Sequence, residues 1–241
     1  MDTKSLLINT GNIAKRKSHT KVDAKREVTL AISSTLKVIE SDTTQSQCRN
    51  PDYTETIEKG EREDLLLTVK IFLNDPDPAL TPEAVSKACE ELNVSYVDLV
   101  VLSFPGTGFT VDMLKPHWKS LEALKEKGIV SSMGICNLDK PNLEELFTWA
   151  KVKPVLNQIN VASCCVIPKD LNAFAKENDI RLVTTSDPHD ILSADDFHET
   201  FSQQMANPQK WKRSWLSRYS TVVKSRGVVR HRGYLLKCLQ A

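Results

Sequence analysis

The chain of 241 residues reads as an α/β protein of the (β/α)8 TIM-barrel type, degenerate near its N-terminus and truncated at its C-terminus. Three observations predict this. From about residue 60 to 190, short apolar runs rich in β-branched residues alternate with segments of helical period. The runs are apolar almost throughout, as expected of parallel strands covered on both faces. The links between them are short, which is the repeated βαβ pattern, and so many units in a row suit a barrel better than an open sheet.

The elements follow in order. Residues 22–40 have helical period, and the polar stretch 41–64 is predicted as a long loop. "DLLLTVKIFL" (64–73) is a buried strand. The helix over 81–93 takes Thr81 as N-cap, Pro82 in its first turn and Glu83 as favourable charge. Strand 96–104 leads to a helix over 111–128 that stops at Gly128. A strand at 129–135, a helix at 139–151, a strand at 155–161, a helix at 168–179 and a strand at 180–185 complete the alternation. The acidic stretch 187–199 is weakly helical. Residues 211–227 read as a helix capped by Gly227, and the remainder as one short strand and a tail. One domain over 1–241 is expected.

Composition narrows the chemistry. Apolar residues make up 40% and charged residues 26%, with net charge +1, so no global field favours nucleic acid or an anionic membrane. No run approaches the roughly 18 apolar residues of a membrane span. The first apolar run is too short for a signal peptide and its basic cluster lies on the wrong side, so a cytoplasmic location is expected. The six cysteines are scattered without C-x-x-C, which argues against structural zinc and against stable internal disulfides in a reducing compartment. The five histidines lack metal-ligand spacing and are predicted at the surface. "PGTG" (105–108) is too short for a phosphate loop.

Cys164 and Cys165 follow a strand, near the catalytic face of a barrel. Adjacent residues there point opposite ways. The residues leave three readings open: two packed apolar thiols, a thiol pairing with another chain, or a nucleophile, for which no basic neighbour is visible.

"YVDLVVLSFP", "WKSLEALKEKGIVSSMGICNL" and "NQINVASCCVIPKDLNAFAKENDIRLVTTSDP" resemble consecutive segments of the aldo-keto reductases, barrels that reduce carbonyls with NADPH. "NQINVASCCVIPKDLNAFAKENDI", "RYSTVVKSRGVV" and "INTGNI" are similar to a catalytically silent branch, the regulatory (modifier) subunits of glutamate–cysteine ligase.

The reductase resemblance implies a proton-donating tyrosine, a lysine and an aspartate that tune it, and a histidine that orients the carbonyl. Lys70 falls at the lysine position, and Ser103 stands where the histidine belongs. Tyr53 is the one tyrosine in the stretch that should carry the donor, and it reads as a loop residue. Asn137 and Gln158 match residues that bind the nicotinamide amide. Arg232 falls near a basic residue for the adenosine phosphate, Cys136 replaces a serine, and Ser186 replaces the stacking aromatic residue. The resemblance therefore implies no required cofactor, room for residual NADPH binding, and no catalytic residues beyond a vestigial Lys70.

For function it implies a non-catalytic subunit in a heterodimer with the glutamate–cysteine ligase catalytic subunit. Such a subunit improves glutamate affinity and weakens glutathione feedback in glutathione biosynthesis. It implies intersubunit thiols at Cys164, Cys165 and Cys238. The alternatives are an active NADPH-dependent carbonyl reductase and a stand-alone redox sensor built on Cys164 and Cys165. No metal, nucleic acid or membrane partner is expected.

Overall fold

The computed structural model describes residues 4–16, 22–38, 46–104, 110–160, 166–205 and 207–240. Its strands are β1 (Ser5–Asn9), β2 (Gln47–Arg49), β3 (Leu65–Phe72), β4 (Val97–Ser103), β5 (Val130–Cys136), β6 (Leu156–Asn160), β7 (Arg181–Thr185), β8 (Trp211–Val223) and β9 (Val228–Gln240). The helices are α1 (Ala24–Leu36), α2 (Leu80–Leu92), α3 (Val111–Glu126), α4 (Lys140–Trp149), α5 (Lys169–Glu177) and α6 (Ala194–Ser202). Among these, none is long and apolar enough to cross a membrane.

The fold class is α/β with a barrel-like parallel run. β3, β4, β5, β6 and β7 pair in parallel, one βα unit after another, as the alternation predicts. The local causes are visible in the sequence. Asp23 caps α1 by accepting from the backbone N–H of Arg26 at 2.8 Å. Asp139 does the same for α4, and Ser193 with Asp196 forms a capping box on α6. Asn93 ends α2 in the left-handed region.

Five local expectations are corrected. Residues 211–227 are not a helix: β8 and β9 form a long antiparallel hairpin, and the full strand order is β2-β1-β9-β8-β3-β4-β5-β6-β7. Gly227, at φ +64, belongs to the hairpin turn rather than to a helix cap. The 41–64 stretch carries β2, paired parallel to β1 and tied down where Arg49 grips Glu91 of α2 at 2.8 Å through two nitrogens. Ala79, not Thr81, is the N-cap of α2, because the Thr81 hydroxyl is buried against His117 Nδ1 at 2.8 Å. His117 and His231 are themselves buried, whereas His189 and His198 are exposed as expected.

Side-chain alternation divides the core in two. Leu67, Val69 and Ile71 of β3, with Trp215 of β8 and Leu235 of β9, face the larger core under α2, α3, α4 and α5. Leu216 of β8 and Tyr234 and Leu236 of β9 face the opposite way, onto Ile32 of α1 and Phe201 of α6. Lys70 is out of phase with Val69 and Ile71, so it lies on this second, inner face.

Candidate functional site

The inner face brings four side chains together from distant parts of the chain. Lys70 Nζ donates to Asp187 Oδ2 at 2.7 Å and to Gln158 Oε1 at 2.9 Å. Arg218 holds both oxygens of the same carboxylate, at 2.7 and 2.6 Å. Lys70 and Asp187 are buried. Although burial pushes the Asp187 carboxyl up, the Arg218 and Lys70 charges outweigh it and hold the group well below the usual carboxylate range. Arg218 is correspondingly locked in its charged form by Asp187. The arrangement is a closed ionic knot. Lys70 has its donors engaged and is placed to tie strands, not to activate a neighbour.

A reductase needs a phenol beside that lysine. Among the described residues no tyrosine contacts Lys70; its aromatic neighbour is Phe72, 5.2 Å from Nζ to ring centre. Tyr53 sits in the turn after β2, with the Arg16 guanidinium 5.0 Å over its ring. Tyr219, on the strand next to β3, pairs with Val69 and faces the outer core, while Tyr234 lies opposite Arg218 in the β8–β9 register. The Tyr234 hydroxyl donates to Glu27 Oε1 at 2.6 Å, and burial, assisted by the Glu27 charge, pushes its acidity away from neutral pH. Ser103 is buried at the C-terminal end of β4.

The cofactor candidates are also engaged internally. Asn137, at φ +59, accepts from the Asn160 backbone N–H at 2.8 Å and lies 3.5 Å from the His189 ring. Gln158 Oε1 is taken by Lys70, with the Cys136 thiol 3.5 Å away. Arg232 is held by Glu27 at 2.8 and 3.0 Å, on β9. Ser186 is exposed and offers no ring to stack on. These residues fit a nicotinamide nucleotide poorly: it would have to break three sets of contacts and would gain no planar surface.

Cys164 and Cys165 lie outside the described residues, as does the 105–108 loop. Cys238 is fully buried on β9, where burial pushes its thiol well above the ordinary range. It presents no sulfur to a partner in this arrangement. Cys136 is likewise buried, and its thiol is raised despite the nearby Lys70 charge.

Asp187 and Arg218 are the residues that sequence reasoning missed. Asp187 had a signal, standing just past a barrel strand in "TTSDP". Arg218 had one only for a reader who saw β8 as a strand.

Comparison with known proteins gives the family. The aldo/keto reductase family profile matches residues 51–230. The chain is 39% identical over 198 residues to the glutamate–cysteine ligase regulatory subunits of Rattus norvegicus and Homo sapiens, covering 79% of this chain and 72% of theirs. It is 32% identical over 121 residues to glyoxal reductase of Bacillus subtilis, covering 50% and 42%. Among solved structures, an aldo-keto reductase from a Medee basin deep-sea metagenome library overlaps at 26% identity and a TM-score of 0.41. That match covers 48% of this chain, which spans less than half, 41%, of the metagenome enzyme.

Proposed function

The chain belongs to the aldo/keto reductase family, in the branch of the glutamate–cysteine ligase regulatory subunits, and from that premise we propose that it regulates the ligase without catalysing a reaction. In this reading it binds the catalytic subunit as a heterodimer in the cytoplasm. It favours the state of that partner with higher glutamate affinity and weaker inhibition by glutathione.

One observation carries the reading. The lysine that a reductase would use to tune its proton donor is spent on Asp187 and Gln158, and no phenol stands over it. The remaining function of such a scaffold is its surface. Regulation of this kind requires unequal affinity for two states of the partner, and a tenfold ratio corresponds to about 1.4 kcal/mol. No cofactor is required for it. The redox-sensitive thiol link rests on the resemblance, at Cys164 and Cys165; Cys238 would have to leave the core to join it.

The test mixes the purified chain with the catalytic subunit. The chain alone should make no γ-glutamylcysteine and should not oxidise NADPH with a reactive aldehyde. The mixture should co-elute as a complex and show a lower KM for glutamate. Unchanged kinetics without a complex would sink the proposal, and aldehyde-dependent NADPH oxidation would restore the reductase.

A further inference from the structure

The inner face of the parallel half carries a second feature, beneath the Lys70 knot. A cavity of about 550 Å³ opens at the N-terminal ends of the parallel strands and is lined from β8, β3, β4, β5, β6 and β7. That volume lies within the roughly 300–1,000 Å³ of small-molecule sites. The space exists because small residues, Thr68, Ser132 and Ser220, line it where a packed barrel interior uses bulky branched ones. Gln158 lines it as well, so its inner end is the underside of the knot.

The lining has the composition of a binding site rather than of a packing defect. Leu66, Leu99, Leu156, Val183 and Val222 form an apolar wall. Leu66 and Val183 remain 46% and 42% exposed, which is high for facing residues of one sheet. Arg181 stands at the mouth, and its guanidinium has no hydrogen-bond or ion-pair partner among the described residues. The Thr68, Ser132 and Ser220 hydroxyls are likewise without partners there. Asp98 also lines the cavity. Its Oδ2 already accepts from Arg62 at 2.8 Å and from the Leu67 backbone N–H at 2.7 Å, so its charge is answered.

We propose that this cavity binds a small amphipathic anion, its apolar body against the Leu66–Val183 wall and its carboxylate or sulfonate on Arg181. Arginine suits such a head group because its planar fork matches two oxygens at once. The site opens at the opposite end of the strands from Asn137 and Ser186 and shares only Gln158 with the nucleotide end of the family fold. It does not depend on the regulatory reading.

The probe is 8-anilinonaphthalene-1-sulfonate, titrated into the isolated chain with octanoate as competitor. Saturable one-to-one fluorescence enhancement, displaced by octanoate and not by octanol, is expected. Arg181→Ala should weaken it at least tenfold while leaving circular dichroism and melting unchanged, and Arg181→Lys should fall between. Ser132→Leu fills the cavity with Arg181 in place and should abolish binding; Ser220→Leu replaces it where Ser132→Leu does not fold. Non-saturable binding, equal displacement by octanol, or full affinity in Arg181→Ala or in the filled variant overturns the proposal. None of these results bears on the glutamate KM measured with the catalytic subunit.

Discussion

The parallel and antiparallel halves of the sheet treat their inner faces in opposite ways. Across β1, β9 and β8, helices α1 and α6 press Ile32 and Phe201 onto Ile8, Leu216 and Leu236, and the face is filled with apolar side chains. Across β3 to β7 the inner face carries Lys70, Gln158, Cys136 and an open cavity, while the apolar packing lies on the outer side, under α2 to α5. Asp187 is where the halves meet: it follows β7, and its carboxylate joins Lys70 of the parallel half to Arg218 of the antiparallel hairpin. The difference teaches that a buried lysine can serve as a structural tie between two halves of a sheet. Removing Asp187 would strand two cations, Lys70 and Arg218, in the core, whereas removing Lys70 would leave Asp187 still paired with Arg218.

The largest effect should come from cutting that tie. Asp187→Asn keeps the shape and leaves two buried cations without a counter-charge, so it should cost about 3–5 kcal/mol, read as a lower urea midpoint. The acid limb tests the same point. The folded carboxyl is depressed below its unfolded value near 3.8. Its contribution is therefore complete above about pH 4 and is lost as pH falls below that. Wild-type protein should lose stability through this window and Asp187→Asn should lose less. Equal acid slopes would mean that the knot is not the link between the halves.

A smaller effect should follow from thinning the antiparallel half alone. Leu236→Ala opens a void beneath α1 and α6 and should cost roughly 3 kcal/mol. Hydrogen exchange should place the damage: amides of β1 and β9 should lose protection while those of β4 and β5 keep theirs. Uniform loss across the sheet would show a single cooperative unit and erase the distinction drawn between the halves.

The parallel half was legible in the sequence because each of its strands is a short apolar run followed by a helix of clear period. β8 was not, for a physical reason. It is covered on both faces, by Trp215 and Tyr219 on one and Leu216 on the other, so the period-2 signal is blurred and the interspersed Lys212, Arg213 and Arg218 suggest an amphipathic helix. β2 escaped notice because three residues carry no measurable period. The site divided along the same line. Lys70, Gln158 and Asn137 stand on strands or strand ends that sequence reasoning recognised. Arg218 stood on one that it took for a helix, so the knot was invisible even though Lys70 was singled out. His117 and His231 were misplaced because burial of a hydroxyl-bonded imidazole leaves no spacing pattern to read.

The hairpin turn offers the smallest and cleanest test of that misreading. Gly227 would sit at positive φ under either description, as a helix cap or as a turn residue, so its presence could not decide between them. Its surroundings can. A Cβ built at Gly227 meets nothing within 4 Å, and the whole penalty of Gly227→Ala is therefore conformational, about 1 kcal/mol. Gly227→Asn should recover much of it, since asparagine tolerates the left-handed region. Because the turn joins two strands, destabilisation should leave helical circular dichroism of the native state unchanged and should speed exchange at Val222, Val223, Val228 and Val229 first. A loss of helix signal on substitution would return 211–227 to the helical reading and dissolve the antiparallel half.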